Sequence, residues 1–195
     1  VKRERLSTGW RPDTYLGRSN LPAVTYTIEA FYANPRGVSP VLLSTPDELD
    51  QLVDDLFSGV PAGHPGGDVA RRADHDALLY LAGGGMGMPD HELRVVVDRS
   101  GRVGALSFVA DATDVGGTWF SRSTLRLVEP PTLYADCGSL LRFPTNSILA
   151  LPDVREALHE FQRTGARPTC VDWQPAAGYL VAAARDALTW LPTTA

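Results

Sequence analysis

Leu93-Arg94-Val95-Val96-Val97-Asp98-Arg99-Ser100-Gly101-Arg102-Val103-Gly104-Ala105-Leu106-Ser107-Phe108-Val109-Ala110 is the stretch on which the fold turns. Two apolar runs rich in β-branched residues flank Asp98-Arg99-Ser100-Gly101, with Asp first and Gly last as a type I turn prefers. Leu93 to Val97 goes out as a strand, and Val103 to Ala110 returns antiparallel to it.

Working outward, the chain to the N-terminal side supplies more strands. Ala23 to Ala33 is extended, with Val24, Tyr26, Ile28 and Ala30 on one face. Asn34-Pro35-Arg36-Gly37 turns it into a short strand over Ser39 to Ser44, and Ala77 to Ala82 forms another. On the C-terminal side, Thr118 to Ser121 and Ser123 to Val128 continue the sheet, and Thr169 to Trp173 closes it. Helices interrupt this series. Thr45 caps the first, Pro46 opens it, Glu48 completes a capping box, and Gly59 ends it. Leu49, Leu52, Val53, Leu56 and Phe57 line one side of that helix. Pro152 to Thr164 is a second, stopped by Gly165, and Ala176 to Leu191 a third. Strands and helices do not alternate strictly. The expected fold is α+β, a mostly antiparallel sheet with two to three helices packed on it. The expected organisation is a flexible arm over 1–22, an α+β domain over 23–174 and a helical extension over 175–195.

The chain has 195 residues, 44% hydrophobic and 21% charged, enough for one sizeable core without metal or disulfide staples. Its net charge of -5 disfavours direct nucleic-acid binding, which needs a Lys/Arg footprint to displace counterions. Cys137 and Cys170 stand in no paired motif, which suits a reduced, cytoplasmic chain. No apolar run approaches the roughly 20 residues that span a bilayer, and no apolar segment follows the basic start at Val1 to Arg5.

Catalytic and cofactor motifs are missing. Gly83-Gly84-Gly85-Met86-Gly87 follows a strand, but Pro89 and Asp90 come next and no helix N-terminus is there to hold a phosphate. His64, His75, His91 and His159 show no ligand spacing, and Asp74-His75-Asp76 lacks further partners. His159 falls on the polar side of its helix, and Cys170 reads as a small core residue. No Ser sits in a nucleophile elbow. The zinc-deaminase pattern is absent as well. No cofactor or metal is expected.

The first helix is the unusual element. It carries Asp47, Glu48, Asp50, Asp54 and Asp55, and no Lys, Arg or His lies between Thr45 and Phe57. The helix dipole explains Asp47 and Glu48 but works against Asp54 and Asp55, and Asp50 and Asp54 repel at i,i+4. Together these effects cost about 1 kcal/mol. Either neighbouring elements supply cations, or the face awaits a basic partner. Trp119 and Phe120 adjoin in a strand and must point to opposite faces. One is core and the other a candidate anchor for a partner, unless a loop or arm covers it. Trp173 shares a face with Val171 and reads as core.

Several segments carry a family resemblance: Ser44-Thr45-Pro46-Asp47-Glu48-Leu49-Asp50, Val103-Gly104-Ala105-Leu106-Ser107-Phe108, Gly117-Thr118-Trp119-Phe120-Ser121 and Pro144-Thr145-Asn146-Ser147. So do Pro152-Asp153-Val154-Arg155-Glu156-Ala157-Leu158 with Glu160-Phe161, Thr164-Gly165-Ala166-Arg167-Pro168 and Val171-Asp172-Trp173. In this order, over roughly Val24 to Gln174, the chain resembles the immunity proteins of bacterial polymorphic toxin systems. The particular likeness is to the family often encoded beside nucleic-acid deaminase toxins, here of actinobacterial type. The resemblance implies an α+β fold, no catalysis, and a cytoplasmic protein that blocks the active site or substrate groove of a cognate toxin domain. Candidate partner-binding residues are Asp47, Asp50, Asp54, Asp55, Asp111, Asp114 and Trp119. The competing expectation is a small hydrolase-like enzyme with a pocket near Asp111, Asp114 and Cys137. Oligomeric state stays open.

Overall fold

The computed structural model describes residues 25–59, 75–83, 91–100, 102–110, 117–136 and 141–176. In order these form β1 (Ile28–Tyr32), β2 (Val41–Leu43), α1 (Pro46–Ser58), β3 (Asp76–Leu81), β4 (His91–Asp98), β5 (Val103–Ala110) and β6 (Gly117–Arg122). There follow β7 (Tyr134–Asp136), β8 (Leu141–Arg142), a 3-10 turn (Thr145–Ser147), β9 (Leu149–Ala150), α2 (Leu151–Thr164) and β10 (Asp172–Pro175). The arm over 1–22, the loop from Val60 to Gly67, Gly84 to Gly87 and the third helix beyond Ala176 lie outside the described residues.

The expected hairpin forms over its whole length, with paired residues running from His91 opposite Ala110 to Asp98 opposite Val103. At its tip the Ser100 hydroxyl donates to the Asp98 carboxylate at 2.7 Å. The main sheet runs β10-β6-β5-β4-β3-β1-β2, with β9 also on β5. Every pairing is antiparallel. One face receives both helices. Leu49, Leu52, Val53 and Leu56 of α1 and Val154, Ala157, Leu158 and Phe161 of α2 close over Ile28, Leu79, Leu93, Val95, Leu106 and Phe108. On the opposite face Val96, Ala105 and Phe120 pack under Leu133, Ala135, Phe143 and Ile148. β5 is therefore covered on both sides, and Val103 to Phe108 are all buried where a one-sided strand would alternate.

Three expectations need correction. Ser123 to Val128 is not a strand. β9 takes the edge of β5 at Val103 and Gly104, where β6 would otherwise have continued. The chain leaves the sheet there, and the Val128 side chain is 100% exposed. The last strand is Asp172–Pro175 and does not begin at Thr169. Cys170 is exposed and not a core residue. One group explains both of these shifts. The buried Glu160 carboxylate accepts from the Thr169 hydroxyl at 2.7 Å and from the Cys170 amide at 2.9 Å, which holds this segment off the sheet.

Burial would raise the Glu160 carboxyl, but the hydrogen bonds from Thr169 and Cys170 outweigh it and hold it at about 2. A depressed folded-state pKa gives stability that is present above the unfolded carboxyl range and is lost as pH falls through the folded value. Glu160→Gln is expected to cost roughly 2 kcal/mol at pH 7, the scale of hydrogen bonds to a charged acceptor. The gap from the natural chain should narrow steadily below pH about 4.5. Urea titrations at pH 7, 5 and 3.5 measure it, and an equal gap at all three would contradict the assignment.

Candidate functional site

α1 forms as its sequence requires. The Thr45 hydroxyl accepts from the Glu48 amide at 3.3 Å, while the Glu48 carboxylate accepts from Ser44 N at 2.7 Å and Thr45 N at 3.0 Å. The bond from the Ser44 amide, helped by Thr45, holds the Glu48 carboxyl below its ordinary range. The like-charged Asp50 and Asp54 are bridged from α2. Arg155 reaches Asp50 Oδ1 at 2.7 Å and Asp54 Oδ1 at 2.6 Å, and its Nη1 also donates to the Asp50 carbonyl at 2.9 Å. A cation from a neighbouring element thus offsets the repulsion within the helix. Asp55 accepts from the Tyr32 hydroxyl at 3.1 Å and from Gln51 at 2.9 Å. Burial, then the Asp55 charge, pushes the Tyr32 phenol up to about 12. His159 is not on a free polar face. Its Nε2 lies 3.3 Å from Asp50 Oδ1, close enough for ion pairing but without hydrogen-bond alignment. Asp47, Glu48 and Asp55 make no ion pair among the described residues.

Trp119 and Phe120 part to opposite faces, as neighbours in a strand must. Phe120 is buried against Phe143, ring centroids 5.0 Å apart. Trp119 lies opposite Phe108 on the helix-bearing face, with the Arg167 guanidinium 4.3 Å above its ring. Another part of the chain therefore covers the indole. Trp173 packs edge-on against Phe108 and donates to the Pro168 carbonyl at 2.7 Å, in keeping with its core reading. Asp111, Asp114 and Cys137 lie outside the described residues, and so does any pocket between them.

Sequence reasoning missed a second surface. Among the described residues, the face of the sheet opposite the helices is covered at Val96, Ala105 and Phe120 of β4 to β6 but open over β3, β1 and β2 and at Val109 of β5. Leu42 is 59% exposed there and Phe31 38%. Phe31 meets Tyr80 edge-on at 5.7 Å. The Tyr80 hydroxyl donates to Glu92 Oε2 at 2.6 Å, and burial together with this bond raises the phenol above its ordinary value. Arg94 lies 3.7 Å from Glu92 and donates to the Ala135 carbonyl at 2.6 Å, which ties the open half to the covering segment. Strand parity put Ile28 and Ala30 on one face and so implied Glu29 and Phe31 on the other. The partners across the sheet left no comparable mark in the sequence.

Beside β2, the end strand of the sheet among the described residues, Tyr32, Arg36, Leu42, Glu48, Gln51 and Asp55 line a shallow open hollow of about 90 Å³. Sites for drug-sized molecules offer about 300–1,000 Å³, so this hollow suits a side chain of a partner better than a substrate. Among the described residues no cluster of His, Cys, Asp and Glu could hold a metal ion, and no helix is long and apolar enough to cross a membrane.

Residues 37–175 match the family model described as Immunity protein Imm1. No curated protein matches the chain.

Proposed function

The chain belongs to the Imm1 family of immunity proteins, and on that premise we propose that it neutralises a nucleic-acid deaminase toxin by stoichiometric binding over the toxin's active site or substrate groove. It acts in the cytoplasm of the cell that makes it and catalyses no reaction. The match across residues 37–175, which takes in both described helices and every described strand except β1, carries this reading. The segments quoted above for the resemblance fall inside that span. Electrostatics supports it: a toxin that handles nucleic acid needs a cationic substrate surface, and an acidic inhibitor is drawn to one.

In this proposal α1 is the steering element. Asp50 and Asp54 share Arg155 and Glu48 lies near Arg36, yet the five acids of the helix outnumber these cations, and Asp47 and Asp55 add to the field. Charges at the rim of an interface act mainly on the association rate and its salt dependence. Asp47→Lys with Asp54→Lys is therefore expected to slow association with the adjacently encoded toxin domain about tenfold at low salt, with little change in dissociation. Stopped-flow mixing at two ionic strengths measures this. An unchanged association rate would remove α1 from the role. Co-expression with the toxin domain tests the reading itself: growth is restored if the chain is its immunity protein, and fails if it is not.

A further inference from the structure

One row of side chains crosses the sheet on its open face. Leu42 lies opposite Glu29, and Glu29 opposite Tyr80. Tyr80 bonds to Glu92 on the next strand, and Glu92 lies opposite Val109. The row alternates apolar and acidic groups from β2 to β5. We propose that it is the seat of the toxin, taking a cationic side chain at Glu29 beside the Tyr80 ring. This inference rests on the toxin-binding reading above and adds the surface and the chemistry of the contact.

Three observations support it. First, the chain covers the other half of this same face with Leu133, Ala135, Phe143 and Ile148, yet leaves Leu42 and Phe31 exposed here. Large apolar side chains grouped on one face mark contact surfaces. Second, the anchor is set before a partner arrives. Phe31 braces the Tyr80 ring, Glu92 holds its hydroxyl, and Arg94 fastens this network to Ala135. A fixed aromatic loses little freedom on binding, and such residues dominate interfaces. Third, Glu29 has no ion pair among the described residues, whereas Glu92 is already engaged by Tyr80 and Arg94. A cationic substrate groove supplies what the row lacks, and docking there closes the groove to nucleic acid. A second copy of the chain fits poorly, because it would set carboxylates against carboxylates.

The test uses the full chain carrying Glu29→Arg together with Leu42→Asp, the first half-buried and the second exposed, with circular dichroism to verify folding. Calorimetric titration with the adjacently encoded toxin domain should show affinity weakened at least 100-fold. Glu156→Lys, exposed on α2 and outside the row, should change it less than fivefold. Natural-strength binding by the folded double variant overturns the proposal while the toxin-binding reading stands. No binding by the natural chain overturns both. A natural dimer that the double variant splits, with toxin affinity intact, assigns the row to a second copy and overturns the proposal. Likewise, unchanged toxin affinity combined with faster proteolysis of residues 1–24 assigns it to the N-terminal segment.

Discussion

Gly104→Val is expected to unfold the protein at a temperature roughly 6–12 °C lower, from a cost of about 3 kcal/mol at about 2–4 °C each for a chain of this size. Gly104 sits in β5 between two strands and beneath a helix. A Cβ there would lie 2.8 Å from the Val96 carbonyl oxygen and 3.2 Å from Val154 Cγ2 of α2. The first of these neighbours is backbone of the main hairpin, so it cannot swing aside. β9 hydrogen-bonds alongside at Gly104 opposite Leu149, which blocks escape in that direction as well. Alanine meets the same backbone oxygen and should cost about 1–3 kcal/mol, with valine worse. Thermal melts followed by circular dichroism decide the matter. A valine variant melting within 2 °C of the natural chain would mean that β5 and α2 are not packed as described.

Gln174→Leu is expected to cost roughly 2–4 kcal/mol, although the two side chains are similar in size. The Gln174 carboxamide is the hub of a buried polar cluster. Its Nε2 shares two protons among the Ser121 carbonyl at 2.9 Å, Ser147 Oγ at 3.0 Å and Asn146 Oδ1 at 3.1 Å. Its oxygen accepts from Asn146 Nδ2 at 3.1 Å. Ser121 extends the cluster, since its hydroxyl donates to the Ser147 carbonyl at 2.7 Å and accepts from the Leu106 amide at 3.0 Å. Leucine would strand the Ser121 carbonyl and the Ser147 hydroxyl away from water, whereas Asn146 reaches solvent. The cluster joins β10, β6 and the 3-10 turn, and so pins the segment that covers the second core. Urea midpoints read the loss, and a leucine variant as stable as the natural chain would show that water reaches these groups.

The fold was legible wherever its signal was local. The capping box at Thr45 and Glu48, the stop at Gly165 and the two runs around Asp98 each declare themselves within a few residues. All three stand in the structure. The α+β class followed from their order. The short strands β7, β8 and β9 were not read, because two or three residues give no periodicity. They are held by contacts far along the chain, such as Gln174 to Asn146. The same distance governs the candidate surfaces. Asp50 and Asp54 announced a local electrostatic cost, but Arg155, which relieves it, comes from another helix a hundred residues on. The alternation of β1 placed Glu29 on the face away from Ile28, yet nothing near Glu29 signals that Tyr80 will lie opposite. Cys170 misled for a related reason: its neighbours suggest a strand, and the carboxylate that pulls it outward is Glu160.

The most direct test is a titration of the activity of the adjacently encoded toxin domain, proposed to be a deaminase, with the purified chain, at toxin concentrations well above the dissociation constant. A stoichiometric immunity protein lowers the activity along a straight line to zero, with the break at a fixed whole-number ratio. Activity that stays unchanged through excess chain would contradict the claim that this protein neutralises such a toxin by binding it.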